Sequence, residues 1–295
     1  NIKIQKKMNI AMDCGNSVGA LVAPRIFKSH SIDLKEIYCD INPDFPNHHP
    51  DPTVDNNLVD LIDCVLTNKC DFGIAYDGDA DRVVAIDERG NIIRSDILMS
   101  IFVNEIINDG DTVVYDVKCS KALDETIKKK CGEPIMWKTG HSHIKNKMIE
   151  TKSKIGGEMS GHIFFADRYF GFDDGIYVSL RLAELLSFKD VPLSHLVASI
   201  PSYYSTPEIR IDCNSDKDKL IITKKMVDYF NDNHQCNLID GARISFEKGW
   251  GLVRSSNTQP VIVCRFEADS KKSLEDIKKI VLDKVKEFGN NDVKF

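Results

Sequence analysis

Residues 72–86 set a charged loop between two apolar runs. Phe72-Gly73-Ile74-Ala75-Tyr76 leads into Asp77-Gly78-Asp79-Ala80-Asp81-Arg82, and Val83-Val84-Ala85-Ile86 follows at once. Short apolar runs bounded in this way read as buried strands, so three carboxylates at alternate positions are expected at a strand end. Anions that close repel one another unless a cation lies among them. Hard carboxylate oxygens suit Mg²⁺, which is commonly shared with substrate phosphates. Asp77, Asp79 and Asp81 are therefore candidate metal ligands, and the loop points to phosphate chemistry. A solvated turn is the bland reading of such a run taken alone. An EF-hand is a sharper rival, since the three aspartates fall at its first ligand positions and Glu88 at its last. Position six, however, needs Gly for a sharp turn, and Arg82 stands there between strand-like flanks.

The 295 residues are 42% hydrophobic and 28% charged, which is ordinary for a globular protein of two or three domains. A net charge of −6 argues against general nucleic-acid binding, so any anion site must be built locally. Nine scattered cysteines form no CxxC pair, which disfavours a zinc site or redox dithiol; reduced thiols of a cytosolic protein, several in the core, are expected. No apolar run is long enough for a membrane span, and no signal-peptide pattern is visible at the start. The chain begins with Asn1 rather than Met, and a piece of a longer protein is expected.

Apolar periodicity gives the organisation. Met8–Asp13 reads as a buried strand, a helix begins near Val18, and Glu36–Tyr38 is a short strand. Residues 42–52, with Pro43, Pro46, Pro50 and Pro52, must be a loop. Thr53 is expected to cap a helix carrying Val54, Leu58, Leu61, Ile62 and Val65 on one face. After the acidic hairpin come a helix over about 95–108, a strand from Thr112, a Lys-rich helix, the strand Pro134–Trp137, and helices near 143–151 and 174–188. Alternating strands and helices imply a mostly parallel sheet covered on both faces. From about Ser202 the order changes: strands at 208–211, 242–246 and 260–266, a loop before the last of these, and helices from about 217 to 231 and through Leu274, Ile277, Val281, Val285 and Phe288. The predicted fold class is α/β: two successive α/β domains with mixed, mostly parallel sheets, then a C-terminal α+β domain with an antiparallel sheet. The expected boundaries are 1–93, 94–201 and 202–295.

Two further segments carry chemistry. In Gly156-Gly157-Glu158-Met159-Ser160-Gly161-His162, glycines allow close backbone approach to a ligand. Glu158 and Ser160 point the same way if the loop is extended, and a carboxylate with a hydroxyl can bind vicinal sugar hydroxyls. Taken alone, the segment reads better as a Gly-rich connector. Arg254-Ser255-Ser256-Asn257-Thr258-Gln259-Pro260 offers a guanidinium, hydroxyls and loop amides as a phosphate cradle; a polar turn is an equal reading. Lys118 follows a buried strand, where burial would depress its pKa and suit acid–base work, and His141 is a further candidate. A solvated helix start and a capping histidine are their bland counterparts.

Together, in this order and spacing, DGDADR, GEMSGH and RSSNTQP resemble the metal-, sugar- and phosphate-binding loops of the α-D-phosphohexomutases, in their phosphomannomutase/phosphoglucomutase branch. MDCGNSVG, YDVKCS and WKTGHS are similar to other stretches of that branch, and the resemblance runs from Met8 to the end. That family has four domains with its active site in the cleft between them, and this chain resembles the second, third and fourth. The first carries a phosphoserine in a Thr-Ala-Ser-His-Asn-Pro-like loop; no Ser-His-Asn occurs here, and Ser142-His143 is followed by Ile144. The resemblance implies an intramolecular phosphotransferase interconverting hexose 6-phosphate and hexose 1-phosphate through a 1,6-bisphosphate, and an isolated chain that is inactive. It implies Mg²⁺ on Asp77, Asp79 and Asp81, and Arg82 stabilising the group in transfer. Glu158, Ser160 and His162 would face the sugar, and Arg254, Ser256, Asn257 and Thr258 the phosphate that is not reacting. Lys118 and His141 would serve proton transfer and phosphate contact. The implied partners are a mannose or glucose phosphate and the N-terminal domain of the same protein, with no nucleic acid or membrane. Two other functions remain: a phosphatase with Asp77 as nucleophile, and a phosphosugar-binding protein without catalysis.

Overall fold

A computed structural model describes residues 1–30, 32–189, 191–289 and 292–294. The backbone divides into two compact units, Asn1–Met136 with Gly140–Pro201, and Trp137–Thr139 with Ser202–Phe295.

The first unit holds two sheets. The strands β1 (Met8–Asp13), β2 (Ile32–Ile37), β3 (Phe72–Tyr76), β4 (Val83–Asp87) and β5 (Ile92–Ile93) form one, in the order β2-β1-β3-β4-β5. The pairs β1–β2 and β1–β3 are parallel, while β3–β4 is the antiparallel hairpin that carries the acidic loop. Between β1 and β2, the helix expected near Val18 is a 3-10 turn, Val18–Leu21, followed by α1 (Ala23–Lys28) with Pro24 in its first turn. Helix α2 (Val59–Asn68) packs Leu61 and Val65 against Ala11, Ala75, Val84 and Ile86 of the sheet. Thr53 does not cap it. The helical run opens as a 3-10 turn at Asp55, and the Thr53 hydroxyl donates instead to Asp51 Oδ1 at 2.8 Å.

Helix α3 (Ser95–Ile106) leads to the second sheet, of β6 (Thr112–Asp116), β7 (Glu133–Trp137), β8 (Ile155–Gly157) and β9 (Ile163–Phe165), ordered β7-β6-β8-β9. Its helices are α4 (Lys121–Lys129), N-capped by the Ser120 side chain, and α5 (His141–Thr151), which buries Ile144 and Met148. β6–β8 is parallel and β8–β9 antiparallel. Helix α6 (Gly175–Phe188), capped by Asp174, reaches back to the first sheet, where Ser179 Oγ and the Tyr76 hydroxyl lie 2.5 Å apart. A short α7 (Leu193–Ala198), absent from the sequence reading, follows.

In the second unit, β10 (Tyr204–Ser205), β11 (Ile209–Cys213), β12 (Cys236–Asn237), β13 (Ala242–Phe246), β14 (Gly249–Ser255), β15 (Val261–Ala268) and β16 (Val293–Lys294) build an antiparallel sheet, β12-β13-β14-β15-β11-β16, with β10 beside β15. Helices α8 (Asp216–Asn233) and α9 (Lys271–Gly289) bury Met226, Phe230, Ile277, Val281 and Val285 with Ile244, Val253 and Phe266 of the strands. Seven residues of the loop expected before β15 are the strand β14. Truncating fully buried Phe230 to Ala is expected to cost about 3–5 kcal/mol, read from urea unfolding of the variant. Among the described residues no helix is long and apolar enough to cross a membrane, and all nine cysteines are free.

Candidate active site

The acidic loop is shaped by its own backbone. Ala80 sits at φ +62°, its N–H bonding Asp77 O at 3.2 Å, and this tight turn folds the three carboxylates together. One ligand oxygen from each of Asp77, Asp79 and Asp81 lies within 4.8 Å of the other two. Asp77 is 3% exposed, and Arg82 holds both its oxygens: the Arg82 N–H donates to Oδ1 at 3.0 Å and Nε to Oδ2 at 2.7 Å. Burial pushes Asp77 up despite that guanidinium. Burial, then Asp77, Asp79 and Asp173, push Asp81 to about 7. Oxygen donors crowded to the point that one resists ionisation are what a hard dication relieves, so the residues present fit Mg²⁺.

Sequence-distant residues close on this loop. The turn between β8 and β9 brings Gly161, at φ +117°, against it: Val83 N–H donates to Gly161 O at 3.2 Å, and a Cβ at Gly161 would meet Arg82 Cβ at 3.0 Å. His162 Nδ1 stands 3.6 Å from Asp81 Oδ1 and 3.9 Å from Asp173 Oδ2, buried and without a hydrogen-bond partner. Burial, then Arg82, lower His162 to about 4, so the imidazole is neutral at pH 7. Its ring stacks on His141, centroids 5.6 Å apart. His141, at the start of α5 and with its side chain 53% exposed, places Nδ1 2.8 Å from Asp173 Oδ2. Lys145, one turn on, donates to Asp173 Oδ1 at 2.9 Å. Burial works against ionisation of Asp173, but hydrogen bonds from Lys145 and His141 hold it below the usual carboxylate range.

Glu158 and Ser160 are not in extended chain. The segment is a tight turn, with Glu158 N–H on His162 O at 2.8 Å and Gly161 N–H on Glu158 O at 3.2 Å. Glu158 is 2% exposed and accepts the Gly140 N–H at 2.6 Å; burial, then the Asp116 charge, push it to about 7. Ser160 is half-buried in the same turn. Lys118 is 5% exposed, its Nζ 3.7 Å from Asp116 Oδ2. Asp116 Oδ1 accepts the Met159 N–H at 3.3 Å, so Lys118 and the Glu158 turn share one buried anchor.

In the second unit, Arg254 lies on β14 rather than in a loop. It is 4% exposed, and its Nε donates to Asp240 Oδ2 at 2.9 Å, while its buried Nη2 has no partner. Ser256, Asn257 and Thr258 follow in the turn to β15, where the Thr258 N–H donates to Ser256 Oγ at 3.4 Å. Lys219 Nζ fixes that turn by donating to Ser256 O and Gln259 O, each at 2.9 Å. An orphan guanidinium nitrogen beside hydroxyls and exposed turn residues is an anion's complement.

Asp116, Lys145, Asp173, Lys219 and Asp240 were not singled out from the sequence. None stands inside one of the three loops, and the fold brings each to its partner there or beside it. A pH effect follows from Asp81. Protons compete with a dication for that carboxylate, so Mg²⁺ affinity is expected to fall about tenfold between pH 8 and pH 6, measured by calorimetric titration.

The fold and these loops define a three-part family architecture, and the comparisons identify the family. Residues 2–90, 94–204 and 208–284 match the phosphoglucomutase/phosphomannomutase alpha/beta/alpha domain II, alpha/beta/alpha domain III and C-terminal domain, respectively. The chain belongs to the phosphoglucomutase/phosphomannomutase family. It is 43% identical to a phosphomannomutase/phosphoglucomutase of Pseudomonas aeruginosa, over 97% of this chain and 62% of that protein. It is 41% identical to a phosphoglucomutase of Neisseria gonorrhoeae, over 94% of this chain and 61% of that one. A crystal structure of a family protein from Burkholderia thailandensis superposes with a TM-score of 0.91 at 38% identity, over 100% of this chain and 64% of the other. The chain thus spans about three fifths of the length of the relatives it matches.

Proposed function

We propose that these residues form the metal-, sugar- and phosphate-handling parts of a phosphomannomutase/phosphoglucomutase, which interconverts hexose 6-phosphate and hexose 1-phosphate through a 1,6-bisphosphate. In this reading the sequence divides into three domains, 1–93, 94–201 and 202–295, and the serine nucleophile comes from polypeptide outside these 295 residues. The observation that carries it is the interlock of the acidic loop with the Glu158–His162 turn, across His162 Nδ1 to Asp81 Oδ1 at 3.6 Å and Val83 N–H to Gly161 O at 3.2 Å. A site for a dication bound to a phosphate, next to a buried carboxylate suited to sugar hydroxyls, is what phosphoryl transfer on a sugar needs.

Asp77, Asp79 and Asp81 would hold Mg²⁺, which supplies charge neutralisation as a phosphoryl group moves. Arg82 would contact that group. Glu158 and Ser160 would take sugar hydroxyls, with neutral His162 supporting them. Lys118 and His141 are the further proton-transfer and phosphate contacts, and Arg254, Ser256, Asn257 and Thr258 would hold the phosphate that is not reacting. Asp77 as a phosphatase nucleophile is disfavoured, because it is buried with both oxygens bound to Arg82. The test is titration of this chain with glucose 1,6-bisphosphate, with and without Mg²⁺. Saturable binding that Mg²⁺ strengthens is expected; no saturable binding under either condition would sink the reading.

A further inference from the structure

The Pro-rich loop before α2 has no place in the reading above, yet it delivers one side chain to the acidic loop. Asp51 Oδ1 accepts Arg82 Nη1 at 3.3 Å, on the other side of the guanidinium from Asp77. We propose that Asp51 is a positioning residue for phosphoryl transfer, holding the Arg82 guanidinium in one orientation. This rests on the reading of Arg82 as a phosphate contact.

Asp51 is itself built in place. Its Oδ1 also accepts the Thr53 N–H at 3.1 Å and the Thr53 hydroxyl at 2.8 Å, and its backbone carbonyl accepts Asn57 Nδ2 at 2.8 Å. Buried prolines flank it on both sides. Pro50 packs on Gly15, where φ is +53° and a Cβ would come within 2.9 Å of the proline ring, and lies 3.8 Å from where a Cβ on Gly78 would stand. The neighbouring His48 is tied to β1, its Nε2 2.9 Å from Asp13 Oδ2. The loop is therefore rigid without the Arg82 contact, and Asp51 meets Arg82 from a fixed point.

The same arrangement argues against a role in stability. Asp51 and Arg82 are about a third and a quarter exposed at their side chains, and an ion pair of that exposure contributes little. What it does is geometric. Asp77 alone fixes Nε and leaves rotation at the far end of the side chain unopposed; a second carboxylate on Nη1 sets the plane. Among the described residues Arg82 Nη2 makes no hydrogen bond and is not buried, so the free edge of the guanidinium is the one left for an anion.

The sign of a substitution separates positioning from simple charge. Removing a carboxylate beside an anion site should tighten anion binding if only charge counts. Asp51→Asn is instead expected to weaken glucose 1,6-bisphosphate about tenfold relative to glucose 6-phosphate, with Thr53→Val shifting the ratio the same way by less. Arg82→Lys should abolish the effect of Asp51→Asn in the double variant. In nitrogen-15 spectra of the chain without ligand, the Arg82 Nη signals should be resolved in the wild type and averaged in Asp51→Asn. Unchanged or tighter bisphosphate binding together with unchanged Nη signals overturns the proposal. A wild-type chain that binds no bisphosphate counts against the mutase reading instead, and the Nη comparison alone then decides whether Asp51 orients Arg82.

Discussion

Asp79→Asn is expected to lower Mg²⁺ affinity about 100-fold or more without loss of fold, because it removes one of three charged oxygen ligands. Asp79 is the exposed member of the triad, and no hydrogen bond ties its side chain among the described residues. Its charge pushes both Asp77 and Asp81 upward. Neutralising it therefore relieves repulsion in the metal-free protein, and the melting temperature without metal should hold or rise. Titration calorimetry with Mg²⁺ and a thermal melt in chelator check the two halves. A variant that binds Mg²⁺ like the wild type would move the metal away from this loop.

Arg254→Ala is expected to act in both ways at once. Charge-assisted hydrogen bonds from a buried guanidinium are worth about 1.5–3 kcal/mol, so affinity for glucose 6-phosphate should fall about 100-fold. Asp240 would lose its guanidinium partner, with the Thr139 N–H at 3.0 Å left as its remaining donor among the described residues. Leaving a partly buried carboxylate so exposed costs about 2–3 kcal/mol of stability. Arg254→Lys should recover part of the stability and little of the affinity, because a lysine cannot present the orphan Nη2. Equal recovery of both would mean that Arg254 serves only the Asp240 pair.

The motifs were legible because each is a contiguous stretch whose residue types have a shared chemical purpose. DGDADR could be placed at a strand end from its flanks alone, and the antiparallel pairing of Phe72–Tyr76 with Val83–Asp87 agrees. Helix α9 was legible from periodicity, with Leu274, Ile277, Val281 and Val285 buried as spaced. What could not be read depends on tertiary partners. Gly249-Trp250-Gly251 looks like a turn, but with β13 on one side and β15 on the other it becomes a central strand, since pairing overrides local preference. Thr53 has the chemistry of a cap, yet Asp51 two residues earlier takes its hydroxyl. Asp173, Lys145 and Asp240 have partners that lie 28, 32 or 14 residues away, and sequence spacing carries no signal for such meetings.

The central claim is that these loops serve a mutase whose nucleophile lies outside the 295 residues. It is tested most directly by a coupled assay with glucose 1-phosphate, Mg²⁺ and glucose 1,6-bisphosphate, run on the chain alone and again with the family's first domain of the same protein added as a separate polypeptide. The account predicts glucose 6-phosphate formation only when that domain is present. Turnover by the chain alone would place a nucleophile within it and contradict the roles assigned here.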